Sequence, residues 1–157
     1  MSVETHRRIL KGKKALVVGI ANEQSSAYGC ANAFRELNAD LAITNRNEKS
    51  KPFVEPLAKS LEAPISMPLN VSEPGELEAL FAAITAQWGR LDTLVHSIAF
   101  APKDDLRGGL LNCSAAGFAQ VMDISCHSFL RMAKLAAPLM TAGGTMFAMT
   151  FVSSSPS

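Results

Sequence analysis

The residues after the first apolar run of the chain have the spacing of a phosphate-binding loop. Gly19, Ser25 and Gly29 form the pattern Gly-x5-Ser-x-Ala-x-Gly at the start of a segment with helical periodicity. A glycine here lets the backbone approach a pyrophosphate, and Ser25 with the free amides near Ser26 would donate to phosphate oxygens. Gly29 is expected to permit close packing of the helix on the strand. The alternative interpretation is an ordinary strand-to-helix loop, since the common Gly-x-Gly-x-x-Gly is absent.

The ends of the next three apolar runs carry residues that suit a dinucleotide. Arg46 could contact a 2′-phosphate or stack on adenine, because no acidic residue stands beside it to accept from a ribose 2′-hydroxyl. Asn70 could bond the edge of adenine while Val71 packs on its face. The small residues after His96 would let backbone pass close to a nicotinamide ribose. A surface arginine, a turn asparagine and an interior histidine are the alternative interpretations.

Short apolar runs alternate with segments of helical periodicity, and this alternation must position those residues. The predicted strands are 15–20, 40–44, 65–69, 93–97 and 145–152, and the predicted helices are 26–38, 51–61, 74–88 and 115–140. Phe53 is expected to face inward, and Ser72 is the predicted N-cap of the third helix. Five strands and four helices in strict alternation predict an α/β fold with a doubly wound parallel sheet, whose ligands bind beyond the carboxyl ends of the strands.

Composition excludes several classes of protein. A chain of 157 residues with 48% hydrophobic residues can bury a core as one domain, 1–157, without disulfides or metal. The net charge of +1 argues against binding nucleic acid through phosphate neutralisation. Three dispersed cysteines, with no histidine at metal-ligand spacing, indicate a reducing compartment and no metal site. The N-terminus lacks an apolar signal region, and Pro138, Gly143 and Gly144 interrupt the uncharged segment 135–157, so we expect a cytoplasmic protein with no membrane partner.

Four segments together resemble bacterial enoyl-[acyl-carrier-protein] reductases, the divergent branch of the short-chain dehydrogenase/reductase family. They are the loop 19–29, Phe-Val-Glu-Pro-Leu-Ala at 53–58, His-Ser-Ile-Ala-Phe-Ala-Pro at 96–102 and Asp-Ile-Ser at 123–125. An ordinary member of the wider family would show Thr-Gly-x3-Gly-x-Gly and Asn-Ala-Gly instead, and neither occurs. A ketoreductase is therefore the less favoured assignment. The resemblance extends over residues 11–152.

The resemblance implies a Rossmann-type fold that binds NADH or NADPH. The implied reaction reduces the trans-2 double bond of an acyl chain on acyl carrier protein, the last step of each elongation cycle in type II fatty-acid biosynthesis. By position, the implied contacts are Gly19, Ser25 and Ser26 at the pyrophosphate, Arg46 at the adenosine ribose, Asn70 and Val71 at adenine, Ile98 at the nicotinamide ribose and Ala101 at the acyl substrate. The family usually has Ile at position 26 and Asp at position 70. Arg46 is found in NADPH-using members, where NADH-using members often have Gln, so both cofactors stay open.

No catalytic residue of the family is expected within the chain. The resemblance places the family's tyrosine and lysine, a Tyr-x6-Lys pair that follows the fifth strand, beyond Ser157. The one tyrosine present is Tyr28, in the phosphate loop, and Phe151 stands where the family has an additional tyrosine. The family's last strands would also follow. We therefore expect a truncated dinucleotide-binding domain that is inactive alone; the alternative is a non-catalytic nucleotide-binding fragment or decayed paralogue. Members form homotetramers, but part of their contact surface lies in the missing region, so a tetramer is not assumed here.

Overall fold

The computed structural model describes residues 9–107 and 109–150. Its strands are β1 (Lys14–Val18), β2 (Asp40–Asn45), β3 (Ile65–Pro68), β4 (Thr93–His96) and β5 (Thr145–Ala148). Its α-helices are α1 (Ser26–Glu36), α2 (Lys51–Ser60), α3 (Glu76–Trp88), α4 (Ala115–Met122) and α5 (Ser128–Ala136). The predicted alternation of strands and helices is confirmed. The last strand ends four residues earlier than predicted, and Phe151 and Val152 lie outside the described residues.

The five strands form one parallel sheet with the order β3-β2-β1-β4-β5. Successive residues of β1 point to opposite faces, so that Leu16 joins a core with α3 and α5, while Val17 joins a second core with α1 and α2. Helices therefore cover both faces, and this explains why the inner strands β1, β2 and β4 are buried on both sides. The Rossmann-type doubly wound sheet is confirmed. The strand order reverses between β1 and β4, which puts the expected ligand crevice at their carboxyl ends.

The start of α3 differs from the prediction. The helix begins at Glu76 behind Gly75, whose φ is +87°, and the prediction of Ser72 as the N-cap was wrong. The preceding residues form a turn instead: the Glu73 amide donates to the Asn70 carbonyl at 2.9 Å. The Ser72 amide donates to Asn70 Oδ1 at 3.1 Å. The asparagine side chain therefore stabilises a turn at the residues where a helix was predicted.

Two side-chain packing predictions were wrong. Phe53 was expected to face inward but is 65% exposed, and Val54 and Ala58 are the buried residues of α2. Gly29 was expected to permit close packing of α1 on the sheet, yet it is exposed and a Cβ built there would meet no atom within 4 Å. The close approach of α1 to the sheet depends on Ala27, which is fully buried.

The predicted helix 115–140 is divided by a turn of different geometry. A π-helical turn at Asp123–His127 joins α4 to α5, and a 3₁₀ turn at Ala137–Leu139 follows. The Ser114 hydroxyl caps α4 by accepting from the Gly117 amide at 2.9 Å. A π turn inserts an extra residue into a helix and commonly marks a functional site. No helix among those described is long and apolar enough to cross a membrane.

Asp92, just before β4, binds three basic residues at the amino ends of the central strands. Its carboxylate accepts from the Lys14 amide at 2.9 Å, from Lys13 Nζ at 3.0 Å and from the Arg90 guanidinium at 2.8 Å. Burial raises the pKa of Asp92, but the hydrogen bonds from Lys14, Arg90 and Lys13 outweigh it and hold the pKa below its usual value. The Asp92 carbonyl also accepts from the Thr145 amide at 2.9 Å, which links β4 to β5.

Candidate functional site

A cleft of about 270 Å³ lies at the carboxyl ends of β1 to β4, where the strand order reverses. Its walls are residues 18–21, 69–71 and 97–100, together with Thr44, Arg46, Ser50 and Ile124. Most of these residues are apolar or contribute backbone, as is usual for a small-molecule site with few oriented polar groups. The cleft therefore lies where a doubly wound sheet is expected to bind its ligand.

The structure brings five of the sequence-predicted site residues together in this cleft. They are Gly19, Arg46, Asn70, Val71 and Ile98. The other three predicted residues are not among those that line it. Ser25 and Ser26 stand at the start of α1, and Ala101 directly follows the wall residue Phe100.

Gly19 lines the cleft at the point where the ends of β1 and β4 meet. Its φ is +102°, a conformation that residues with a side chain rarely adopt. A Cβ on Gly19 would also overlap the Ser97 carbonyl group. The Ser97 amide donates to the Val18 carbonyl at 3.0 Å and holds the two strand ends in contact. A glycine is therefore required by the protein's own packing, before any ligand is considered.

The start of α1 presents backbone amides that no side chain caps. Ser25 is the N-cap residue, but its hydroxyl donates to the Asn22 carbonyl at 2.7 Å and accepts from no helix amide. Asn22 Oδ1 accepts from the Gln24 amide at 2.9 Å and tightens the loop. First-turn amides and the helix dipole together attract an anion. Because the Ser25 hydroxyl already has an acceptor, the backbone is the better phosphate donor here.

Asn70 is bound within its own turn. Besides accepting from the Ser72 amide, its side chain donates from Nδ2 to Glu73 Oε1 at 3.4 Å, and its backbone amide donates to Glu76 Oε2 at 2.6 Å. The side chain thus makes the turn that the alternative interpretation predicts, and its second Nδ2 hydrogen is left for a ligand. Val71 beside it is buried and supplies apolar wall.

The sequence reasoning assigned no role to Ile124, Ser125 or Phe100, which shape the inner wall. Ile124 and Phe100 line the cleft, and Ser125 follows Ile124 in the π turn. The Phe100 amide donates to Ser125 Oγ at 3.0 Å, and Ser125 Oγ donates to the Phe100 carbonyl at 3.2 Å. The signals for these residues were the Asp-Ile-Ser phrase at 123–125 and, for Phe100, the segment 96–102; both indicated the family and neither gave these side chains a role.

His96 is an interior histidine and does not line the cleft. The Ser128 hydroxyl donates to the Ile124 carbonyl at 2.6 Å, so it accepts from His96 Nε2 at 2.7 Å and the proton is assigned to Nε2. Burial lowers the pKa of His96 and keeps the ring neutral. Its hydrogen bond anchors the π turn to β4.

A larger groove of about 430 Å³ runs between α2 and the edge strand β3. Charged side chains in and beside it pair with one another along α2, as in Lys51 with Glu48 and Lys59 with Glu55. Paired charges of this kind are usual on the solvent-exposed face of a helix. The smaller cleft, built from backbone at the switch point, is therefore the candidate functional site.

Comparisons with known proteins identify the family of the chain. A family model described as enoyl-(acyl carrier protein) reductase matches residues 19–157. Among curated proteins, the chain is 38% identical over 143 residues to enoyl-[acyl-carrier-protein] reductase [NADH] 1 of Rhizobium meliloti, covering 91% of the chain and 53% of the relative. The chain thus spans about half the length of the curated relatives it matches.

Solved structures give the same result. The chain is 38% identical to an Anaplasma phagocytophilum enoyl-(acyl-carrier-protein) reductase in complex with NAD, with a TM-score of 0.84 over 88% of this chain and 53% of that one. It is 34% identical to the Bacillus cereus enoyl-acyl carrier protein reductase with NADP⁺ and an indole naphthyridinone, with a TM-score of 0.87 over 92% of this chain and 57% of that one. Fold, sequence and family model agree, and the chain belongs to the enoyl-(acyl carrier protein) reductase family.

Proposed function

We propose that the chain forms the cofactor-binding part of an enoyl-[acyl-carrier-protein] reductase of type II fatty-acid biosynthesis, acting in the cytoplasm. The reaction is the reduction of a trans-2-enoyl thioester on acyl carrier protein with NADH or NADPH, and the bound nicotinamide supplies the hydride. The observation that carries the proposal is that the family-matching segments 19–29 and 96–102 both contribute to the one cleft at the switch point of the sheet. In this proposal, residues 1–157 act as one dinucleotide-binding domain.

The residues of the site divide the work along the cleft. The proposed contacts are Gly19, Ser25 and Ser26 with the pyrophosphate, Arg46 with the adenosine ribose, Asn70 and Val71 with adenine, Ile98 with the nicotinamide ribose and Ala101 with the acyl chain. The uncapped first turn of α1 suits the anionic part of a dinucleotide. The apolar side chains of Val71, Ile98 and Ile124 would exclude water from the flat rings of the dinucleotide. The amide donors and apolar walls of the cleft therefore fit a dinucleotide.

We further propose that NADPH binds more tightly than NADH. Arg46 follows β2, its side chain is exposed at the cleft, and it forms no ion pair with any described residue. A guanidinium with free in-plane donors suits a 2′-phosphate, whereas a bare 2′-hydroxyl would favour a carboxylate acceptor at this place. NADH remains the alternative cofactor, because such an arginine can also stack on adenine.

Replacing Arg46 with glutamine tests the site and its preference together. We expect Arg46→Gln to weaken NADPH binding by about tenfold or more, because a charge-assisted hydrogen bond to phosphate is lost. NADH binding should change little. Cofactor titration followed by nicotinamide fluorescence measures both. Lys134→Gln is the matched control, since it removes an equal charge from the exposed side of α5. If Arg46→Gln weakened the binding of NADPH and NADH equally, the result would count against a 2′-phosphate contact.

The 157-residue chain itself is expected to be inactive. Its one tyrosine, Tyr28, lies in α1, packs against the core between α1, α2 and the sheet, and is not among the residues that line the cleft. We expect no oxidation of NADH or NADPH that depends on a crotonyl thioester, measured at 340 nm with a full-length relative as the positive control. Measurable turnover would contradict this. A decayed paralogue is the rival role, and an in-frame Tyr-x6-Lys encoded after Ser157 would argue against it.

A further inference from the structure

The side chain of Arg46 rests on an aromatic ring on the opposite wall of the cleft. Its guanidinium carbon lies 5.3 Å from the centre of the Phe100 ring, within the range of a cation–π contact. Arg46 follows β2 and Phe100 follows β4, which are separated by β1 in the sheet. This contact therefore spans the cleft from one strand end to another.

Phe100 is itself held from behind by the π turn. The Ser125 hydroxyl bonds to both backbone polar groups of Phe100, accepting from its amide and donating to its carbonyl. The π turn is in turn tied to β4 through Ser128 and His96. Fixing the backbone at both polar groups narrows the space that the ring can sample and lowers the entropic cost of holding it beside Arg46.

A guanidinium can stack and bind a phosphate at the same time. The stacked face uses its π system, while its five N–H donors lie in the plane and remain directed outward. Without the ring, a long exposed arginine would sample many rotamers and lose that freedom on binding an anion. The ring restricts the rotamers of Arg46 before a ligand binds, so less rotamer entropy is lost on binding. This benefit applies only to a ligand that Arg46 contacts.

We propose that Phe100 is a positioning residue for Arg46 and thereby increases the selectivity of the cleft for a 2′-phosphorylated adenosine over an unphosphorylated one. The proposal rests on the dinucleotide site of the proposed function and adds to it a residue that acts through the arginine. Ser125 supports the same role from the π turn. The contribution belongs to the 2′-phosphate alone, so it is separable from general damage to the cleft.

The test compares adenosine 2′,5′-bisphosphate with adenosine 5′-monophosphate as probes, using isothermal titration calorimetry at one ionic strength. For Phe100→Leu, which keeps an apolar side chain and removes the ring, we expect the affinity ratio of the two probes to fall about two- to fivefold, the size of an exposed cation–π contact. Any change in affinity that comes from altering the cleft wall should affect both probes alike, so the ratio isolates the contribution of the 2′-phosphate. Phe100→Tyr keeps the ring and should retain the ratio.

A double-mutant cycle with Arg46→Gln assigns the effect to the pair. With Arg46 replaced, Phe100→Leu should lower the ratio no further, because the ring acts through the arginine. Ser125→Ala leaves ring and arginine in place and should reduce the ratio in the same direction. Thermal melting of each variant verifies that it is folded, and Ser125→Ala still decides the matter if Phe100→Leu does not fold.

Three results would overturn the inference. An unchanged ratio in Phe100→Leu, with both probes still bound, refutes the positioning role and leaves the dinucleotide site standing. A rise in the ratio would mean that the ring competes with the phosphate for Arg46. Failure of the wild-type chain to bind either probe, or NAD⁺ or NADP⁺, refutes the proposed function and this inference with it.

Discussion

Replacing Gly19 with alanine is expected to lower the free energy of unfolding by about 2–5 kcal/mol and to abolish dinucleotide binding. The added Cβ would overlap the Ser97 carbonyl group, which is backbone and cannot rotate away as a side chain could. The φ of +102° adds a conformational cost for any residue with a side chain. Relief requires β1 and β4 to separate at their carboxyl ends, which is where the cleft is formed.

Gly29→Ala is the matched control for that substitution. Gly29 belongs to the same sequence pattern, but it lies inside α1, and a Cβ there meets nothing within 4 Å. Alanine should therefore stabilise the helix, by about 0.5–1 kcal/mol. Urea unfolding followed by circular dichroism measures both variants. Similar behaviour of the two variants would show that the contact between Gly19 and Ser97 does not constrain the fold.

Replacing Asp92 with asparagine is expected to destabilise the chain by about 1.5–3 kcal/mol at neutral pH. Asp92 is buried and accepts from one backbone amide and two basic side chains, and an amide can replace only part of that acceptor capacity. The affected contacts join β1 and β4 at the end of the sheet opposite the cleft. Cofactor affinity should therefore change much less than stability does.

The stability lost in Asp92→Asn should depend on pH in a defined direction. Because the folded-state pKa of Asp92 is below its usual value, its contribution is present above the unfolded-state pKa and is lost as pH falls through the folded-state pKa. The stability difference between wild type and Asp92→Asn should be constant from about pH 6 to 8 and shrink below about pH 4. Asp40→Asn, which removes a more exposed partner of Lys14, is the control and should cost about 1 kcal/mol or less. A stability difference that grows, instead of shrinking, as the pH falls below about 4 would refute the assignment.

Local signals were sufficient to predict the strands but not all of the helix boundaries. The alternation of apolar runs and helical segments predicted all five described strands, and the signal is clearest in β1, β2 and β4, which are buried on both faces and therefore largely apolar. The start of α3 could not be predicted in this way. There the Asn70 side chain and Glu76 bind the turn that precedes the helix, and a pattern of apolar residues contains no information about such polar contacts.

The candidate site divides in the same manner. Residues that follow strands were identifiable, because the carboxyl ends of parallel strands meet at one edge, and Gly19, Arg46 and Ile98 do meet there. The contribution of the segment 123–125 was not identifiable. Its place in the wall depends on a π turn within what reads as one continuous helix, and periodicity does not reveal an inserted residue.

The sequence by itself therefore determined the fold class, the family and the edge of the sheet where a ligand would bind, since these depend on periodicity and on short motifs. Only the tertiary structure decided why position 19 must be glycine, namely the Ser97 carbonyl beside it, and that Arg46 rests on Phe100. It also decided that Gly29 has no packing role. The physical reason is that each of these facts is a contact, or the lack of one, between segments far apart in the chain, and steric contacts are set by how the strands and helices pack.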